Sequence, residues 1–331
     1  MKITMKDIAK EAGVSVGTVS HVINGTKRIS EETQAKIKLV IEKYNYVPDI
    51  RAKNFRLQKT KTAGLVVSSF PDLYVTGIIN GVSSRARELG YQLLFVNTNE
   101  DPSYERDTLK LLGSNMVDGI ILSPTYKSTE LKEYIDQQVP LVFAIRYDPD
   151  IIDIPRVTAD DYQAGYDATM HLIQHGHKHI GVIYSKPNIT SSNERIEGYK
   201  AALKEYNIPF NDSYLQIGNA TVAGGIEATI KLLKREKQIT SIFVLNDLMT
   251  VGSMKAFVSL SLKCPEDIAL IGFGDFEAAT ITNPPISTIS LPPETIGRTA
   301  FDLLFNKMNN PNYLKHVQIP TSLIPRKSCG C

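Results

Sequence analysis

From Ala63 onward, apolar runs of strand length alternate with amphipathic helical stretches, and no other feature constrains the fold as tightly. The runs are "AGLVVSS" (63–69), "YQLLFVN" (91–97), "VDGIILS" (117–123), "PLVFAI" (140–145), "HIGVIYS" (179–185), "SIFVLND" (241–247) and "IALIGFG" (268–274). Helical stretches such as "TGIINGVSSRARELG", "SYERDTLKLLGSN", "NERIEGYKAALKEY", "GGIEATIKLLKRE" and "MTVGSMKAFVSLS" fall between them. Repeated strand–helix units make parallel sheets covered on both faces. These strands are too many for one small sheet, and the rhythm restarts near residue 162. The expectation is an α/β core of two similar lobes, each a doubly wound parallel sheet, with a cleft between them. In such sheets ligands bind at the carboxyl ends of the strands.

The first 60 residues read differently. They hold 12 Lys and Arg against 6 Asp and Glu, while the whole chain carries a net charge of only +2. A small basic head on a mildly acidic body points to nucleic acid as partner. Three short helices fit this head. Thr4 caps the first, with Asp7 at its third position, and Gly13 ends it. Ser15 caps the second, which runs to about Asn24. Ser30 caps the third, whose Ile37, Val40, Ile41 and Tyr44 form a stripe. A helix, a glycine turn and a second helix make a helix-turn-helix. In the stretch "VSVGTVSHVING" (14–25), Val19, Val22 and Ile23 turn inward. Ser15, Val16, Gly17, Thr18, Ser20 and His21 are then left at the helix start or on its outer side. Short side chains there let a backbone approach DNA closely, and hydroxyls reach phosphates. The segment "PDIRAKNFRLQKTKTAG" (48–64) is basic, and its one or two helical turns are too short to be stable alone, which suits folding against DNA or a partner.

Other function classes are poorly served. No apolar run is long enough to span a bilayer, so no membrane partner is expected, and "MKITMKDIAK" has no apolar signal region. Cys264, Cys329 and Cys331 are too few and too unevenly placed for a disulfide framework, so a cytoplasmic location is expected. No nucleophile motif marks a hydrolase, and "GFGDFE" lacks the lysine and hydroxyl of a phosphate-binding loop. An enzyme or a solute-binding protein on the same core would rest on fold analogy alone. His171 and His175 lie four apart on a helix, which is metal-ligand spacing, beside His177 and His179. The helix ends at Gly176 and the other two histidines diverge, so no metal and no cofactor is assigned. The "CGC" at 329–331 can bind metal or oxidise, but a lone C-x-C at a chain end is a weak signal and a frayed tail is the favoured reading.

At this level of detail the chain resembles the LacI/GalR family of transcriptional regulators over essentially its whole length. "MKDIAKEAGVSVGTVSHVING" resembles the family's DNA-reading head and "YNYVPDIRAKNFRL" its hinge. "VDGIILSP", "HLIQHGHKHIGVI", "NERIEGYKAAL", "VLNDLMTVGSMKA", "PEDIALIGFGD" and "IPTSLIPRKSC" follow as landmarks in order. The resemblance implies a helix-turn-helix domain (1–47), a hinge helix and linker (48–61) and a two-lobed, periplasmic-binding-protein-like core (62–331). Lobe 1 would take about 62–161 and 292–322, and lobe 2 about 162–291 and 323–331. It implies a homodimer on a pseudo-palindromic operator, most simply a repressor, switched by a small molecule in the cleft.

Carried over by residue, Val16, Gly17 and His21 match base-reading positions. Arginine is common where His21 stands, and histidine occurs in the purine-responsive branch. Thr4, Ser15, Thr18, Ser20, Asn24, Ser30 and Thr33 match phosphate-contacting or capping positions. In the hinge, Arg51, Ala52 and Arg56 keep a DNA-facing pattern, and Phe55 replaces the usual leucine wedge in the minor groove, with Leu57 as an alternative wedge. In the cleft, Arg195 and Asp247 match effector positions, as an arginine and carboxylate facing each other. Tyr74 can stack on a ligand, and Arg146, Asp275 and Phe276 can also line the site. Ile145 stands where sugar-responsive members carry aspartate, Ala220 near a usual aromatic and Ile189 near an arginine of purine-responsive members. A sugar or sugar derivative is the expected effector, with a purine-like molecule or a protein as the alternative.

Overall fold

The computed structural model describes residues 3–46, 59–70, 73–125, 131 and 139–331. The chain divides into two compact units, Met1–Thr60 and Lys61–Cys331.

The first unit holds α1 (Met5–Ala12), α2 (Val16–Asn24) and α3 (Glu31–Lys43). The three signals expected to start these helices are all in place. The Asp7 carboxylate accepts from the Thr4 amide at 2.9 Å and the Thr4 hydroxyl at 2.6 Å, which holds Asp7 below the usual carboxylate range. Ser15 Oγ accepts from the Thr18 amide and Ser30 Oγ from the Thr33 amide. Gly13 and Gly25 end α1 and α2 in the left-handed region, at φ 66° and 62°. Ile8, Ala9, Val19 and Ile37 form the buried centre, and Ala12, Val14, Val22, Ile23, Val40 and Ile41 pack around it.

The second unit contains two six-stranded sheets. The strands are β1 (Thr62–Val67), β2 (Gln92–Asn97), β3 (Gly119–Leu122), β4 (Leu141–Ala144), β5 (Arg156–Ala159), β6 (Ile180–Tyr184), β7 (Leu215–Ile217), β8 (Ser241–Val244), β9 (Ala269–Phe273), β10 (Ser287–Ser290), β11 (His316–Ile319) and β12 (Ser322–Ile324). The order in the first sheet is β11-β5-β4-β3-β1-β2, all parallel. The order in the second is β12-β10-β9-β8-β6-β7, parallel except that β12 runs antiparallel to β10. Alternate residues of one strand feed separate cores on the two faces. Phe243 and Ile271 join one cluster, while Ile242, Val244 and Leu270 join the other. That explains the near-continuous apolar runs.

Seven strands lie where the sequence places them; β5, β7, β10, β11 and β12 are additions. After α4 (Leu73–Glu88) and α5 (Pro102–Gly113), the chain passes between sheets three times: from β5 into α6 (Asp161–Gln174), from β10 into the helix Pro293–Asn309, and from β11 to β12. In the second lobe, α6 crosses α7 (Thr190–Glu205) at near backbone contact. A Cβ at Gly165 would strike the Arg195 carbonyl, and one at Gly198 the Tyr162 carbonyl. No helix among the described residues is long and apolar enough to cross a membrane.

The Cys-Gly-Cys segment is not frayed, contrary to expectation. Ser328 and Cys329 are fully buried. Ser328 Oγ donates to the Leu270 carbonyl at 2.7 Å and accepts from the Ser287 amide at 2.8 Å. These bonds fasten the segment to β9 and β10.

Candidate DNA-reading face and effector cleft

On α2, Val16 is 40% exposed and Gly17 is exposed. A methyl group added at Gly17 would meet only Ser15 Oγ, at 3.6 Å. The fold therefore does not require glycine there, although a helical glycine costs about 1 kcal/mol relative to alanine. An outside body that must come close gives a reason for it. Beside it, Ser15 and Thr18 share a hydroxyl contact of 2.9 Å, and Ser20 and His21 are half-buried. His21 Nδ1 lies 2.9 Å from Thr26 Oγ1, which fixes the ring and makes Nε2 the nitrogen available to an external acceptor or donor. Thr4, Ser30 and Thr33 are engaged in caps. Asn24 is the last residue of α2. The hinge residues Arg51, Ala52, Phe55, Arg56 and Leu57 lie outside the described residues.

The cleft of the core is walled by both lobes. Val67, Ser68, Ser69, Tyr74, Ser123, Ile145 and Arg146 come from the first, and Ser185, Ser191, Ser192, Arg195, Ala220, Leu245 and Asn246 from the second. Tyr74, Arg146 and Arg195 were anticipated. The serines were not. They sit just after the ends of β1, β3 and β6 and in the first turn of α7, where a parallel sheet presents ligand sites. Ser185 Oγ is buried with no hydrogen-bond partner among the described residues. Glu100 Oε2 is in the same condition, while Glu100 Oε1 pairs with Arg146 at 2.7 Å. Ile189 occupies the N-cap position of α7 and supplies no side-chain acceptor to its first turn. Ile145 has φ 71°, and the Arg146 amide reaches back to the Ala144 carbonyl at 2.8 Å. A β-branched residue in that region is strained, and such strain collects at functional sites.

The arginine–carboxylate pair differs from expectation. Arg195 Nε and Nη2 both donate to Asp161 Oδ1 at 2.7 Å, Nη1 donates to the Leu245 carbonyl at 2.6 Å, and the guanidinium stacks 3.4 Å over the Phe273 ring. Asp161, not Asp247, is thus its partner. The close α6–α7 crossing sets these two side chains against each other. Burial pushes the Asp161 carboxyl up to about 6, with Arg195 pulling it back. Asp247 is buried, accepts from the Leu248 amide and Asn246 side chain, and is not in the cavity wall. Asp275 is paired with Arg326 at 2.7 Å, and Phe276 is packed in a second-lobe core. Neither lines the cavity. Across the mouth, Tyr147 of the first lobe donates to Glu194 of α7 at 2.6 Å. Burial, then that carboxylate, push the phenol up to about 12.

Comparison with known proteins decides the family. Residues 4–49 match the bacterial regulatory proteins of the lacI family, and residues 169–329 match a periplasmic binding protein-like domain. The HTH-type transcriptional repressor PurR of Vibrio vulnificus is 33% identical over 315 residues, 95% of this chain and 94% of the relative. The chain belongs to the LacI family. This LacI-family chain is a DNA-binding transcriptional repressor with a helix-turn-helix head and a periplasmic-binding-protein-like core. Among solved structures, a complex of the transcriptional regulator CelR with cellobiose is 28% identical, with a TM-score of 0.77 over 98% of this chain and 99% of that one. A lac repressor dimer bound to operator and the anti-inducer ONPF is 23% identical, with a TM-score of 0.88 over 99% of each chain, and shows the shared fold.

Proposed function

We propose that the protein acts in the cytoplasm as a homodimer, placing α2 of each protomer in the major groove of one half of a pseudo-palindromic operator. We further propose that a small neutral molecule bearing several hydroxyls, a sugar or sugar derivative, controls its operator affinity from the cleft. The observation that carries the effector assignment is the partnerless Ser185 hydroxyl within a wall of serines from both lobes. An unsatisfied buried hydroxyl is costly and is repaid by a ligand that bonds to it. Both arginines of the wall already face carboxylates, Glu100 and Asp161. Among the described residues, the wall therefore has no spare cation for a phosphate or carboxylate group.

A ligand touching serines of both lobes favours the closed arrangement that the Tyr147–Glu194 bond also holds. The three crossings between sheets would bend, and segment 48–61 would pass that change to the heads. A coupling of about 1–3 kcal/mol suffices for a useful switch. The PurR relatives favour a second reading, a purine stacked on Tyr74.

A thermal-shift screen of the full chain against sugars, sugar phosphates, nucleobases and amino acids tests both. A sugar at 100 times its dissociation constant should add about 2.7 kcal/mol. Ser185→Ala should weaken that ligand about tenfold with the apo melting point unchanged. A nucleobase hit would replace sugar by purine, and silence from every class would sink small-molecule control. Operator binding with and without the hit then gives the sign of the response.

A further inference from the structure

Two pairs of residues far apart in the chain meet at one end of α6. His171 stands on its last turn and His175 is its C-cap, and the Cys-Gly-Cys segment folds back over them. His171 Nε2 lies 3.2 Å from Cys329 Sγ and 3.3 Å from Cys331 Sγ. His175 Nε2 lies 3.1 Å from Cys331 Sγ, and the two sulfurs are 3.1 Å apart. All four ligand atoms fall within 4.8 Å of one another. Both thiols are free. His177 and His179 are engaged elsewhere, with Thr240 and Tyr214.

From this geometry we propose that His171, His175, Cys329 and Cys331 form a tetrahedral site for one Zn²⁺ ion. Two imidazoles and two thiolates are the donor set of structural zinc sites, with bonds of about 2.0–2.1 Å to nitrogen and 2.3 Å to sulfur. A regular tetrahedron with those bonds has edges of about 3.3–3.8 Å. The distances of 3.1–3.3 Å between these atoms are shorter than such edges, so binding an ion would spread the four side chains slightly apart. Two thiol protons leave to solvent on binding, so Zn²⁺ with two thiolates adds no net charge to this part-buried place.

The second lobe builds the site in advance of the ion. Arg326, paired with Asp275 and bonded to the Ile286 carbonyl, anchors the segment's approach. Ser328 is bonded to β9 and β10, so buried Cys329 has one place to be. Gly330, at φ 93°, permits the reversal that returns Cys331 beside it. The histidines are four residues apart, one in the last turn of α6 and one at its C-cap, so both rings lie on the same side. The carbonyl end of α6 also favours a cation. Zinc here would staple the segment that follows β12 to α6, the helix whose first residue, Asp161, holds Arg195 in the cleft.

The test uses the reduced, chelator-dialysed full chain, titrated with Co²⁺ and then Zn²⁺. The expected result is intense visible bands of tetrahedral cobalt with a thiolate charge-transfer band, saturating at one ion per chain and bleached by Zn²⁺. Zn²⁺ should also raise the melting temperature. Cys331→Ser and His175→Gln alter exposed side chains and leave the buried clamp intact, so both variants should fold. Each should weaken Co²⁺ binding at least tenfold and lose the zinc-dependent rise in melting. A weak octahedral cobalt spectrum in the parent chain, or unchanged affinity in both variants, overturns the proposal.

Discussion

Gly17→Ala separates the two things a residue on α2 can do. The fold gives this methyl room, with one neighbour at 3.6 Å, and the Gly17 backbone lies outside the left-handed region. Removing a helical glycine should therefore stabilise the head by about 0.5–1 kcal/mol, part of it by restricting the unfolded chain. If α2 enters the major groove at this end, the same methyl stands where DNA must approach. The cost there should match a mismatched base pair, about 1–3 kcal/mol per half-site. That is roughly a 5- to 150-fold loss for each head, since about 1.4 kcal/mol is tenfold. Denaturant unfolding of the head transition and operator titration at fixed salt read the two effects separately. Gly13→Ala is the control: at φ 66° the alanine is strained, and stability should fall. A Gly17→Ala protein that is more stable and still binds operator at full strength would refute the close-approach argument. One that is less stable would refute the packing behind it.

Three further outcomes are expected. His21→Ala should lower operator affinity far more than affinity for random DNA of the same length; equal losses in parallel titrations would exclude a base-reading role. Tyr147→Phe removes the bond to Glu194 across the cleft, so the closed form should be less populated and apparent effector affinity should drop several-fold, read by ligand titration beside small-angle scattering. Asp161 gives a pH signature. Its folded-state value of about 6 lies above the ordinary 3.8, so the folded chain holds a proton there that the unfolded chain has released. Its contribution to stability is therefore present below about pH 4 and is lost as pH rises to 6. Melting of the parent relative to Asp161→Asn should decline across that interval, and a flat difference would contradict the burial argument.

The parts legible in the sequence were those written in local periodicity. Thr4, Ser15 and Ser30 each lie just before a helix, and their caps are local hydrogen bonds within three residues. Seven strands announced themselves as long apolar runs because both sheet faces are covered. The strands β5, β7, β10, β11 and β12 are three or four residues each, as in "LQI" and "STIS", too short for any period to show. The cleft was half legible. Arg195 was identified, but its carboxylate partner was not, because α6 brings Asp161 to it across 34 residues. His171 and Cys329 are 158 residues apart, and nothing local in "HLIQHGHKHIG" or "CGC" signals that they meet. Serines carry almost no sequence signal, and Ser185 matters only through where β6 ends.

The triple crossing between sheets also bears on how this regulator is made. Helix Pro293–Asn309 and β11, with His316 opposite Arg156, complete the first sheet only after the whole second sheet up to β10 has been synthesised. Neither lobe can be finished while the other is still missing, and such long-range parallel pairing is slow. The buried centre of the three-helix head, Ile8, Ala9, Val19 and Ile37, is drawn from one short stretch of chain and needs none of this. During synthesis a head competent to fold therefore emerges well ahead of the completed core. On the reading proposed above, any version of the chain cut between β5 and β11 would keep the three-helix head while losing the finished core that carries the effector cleft.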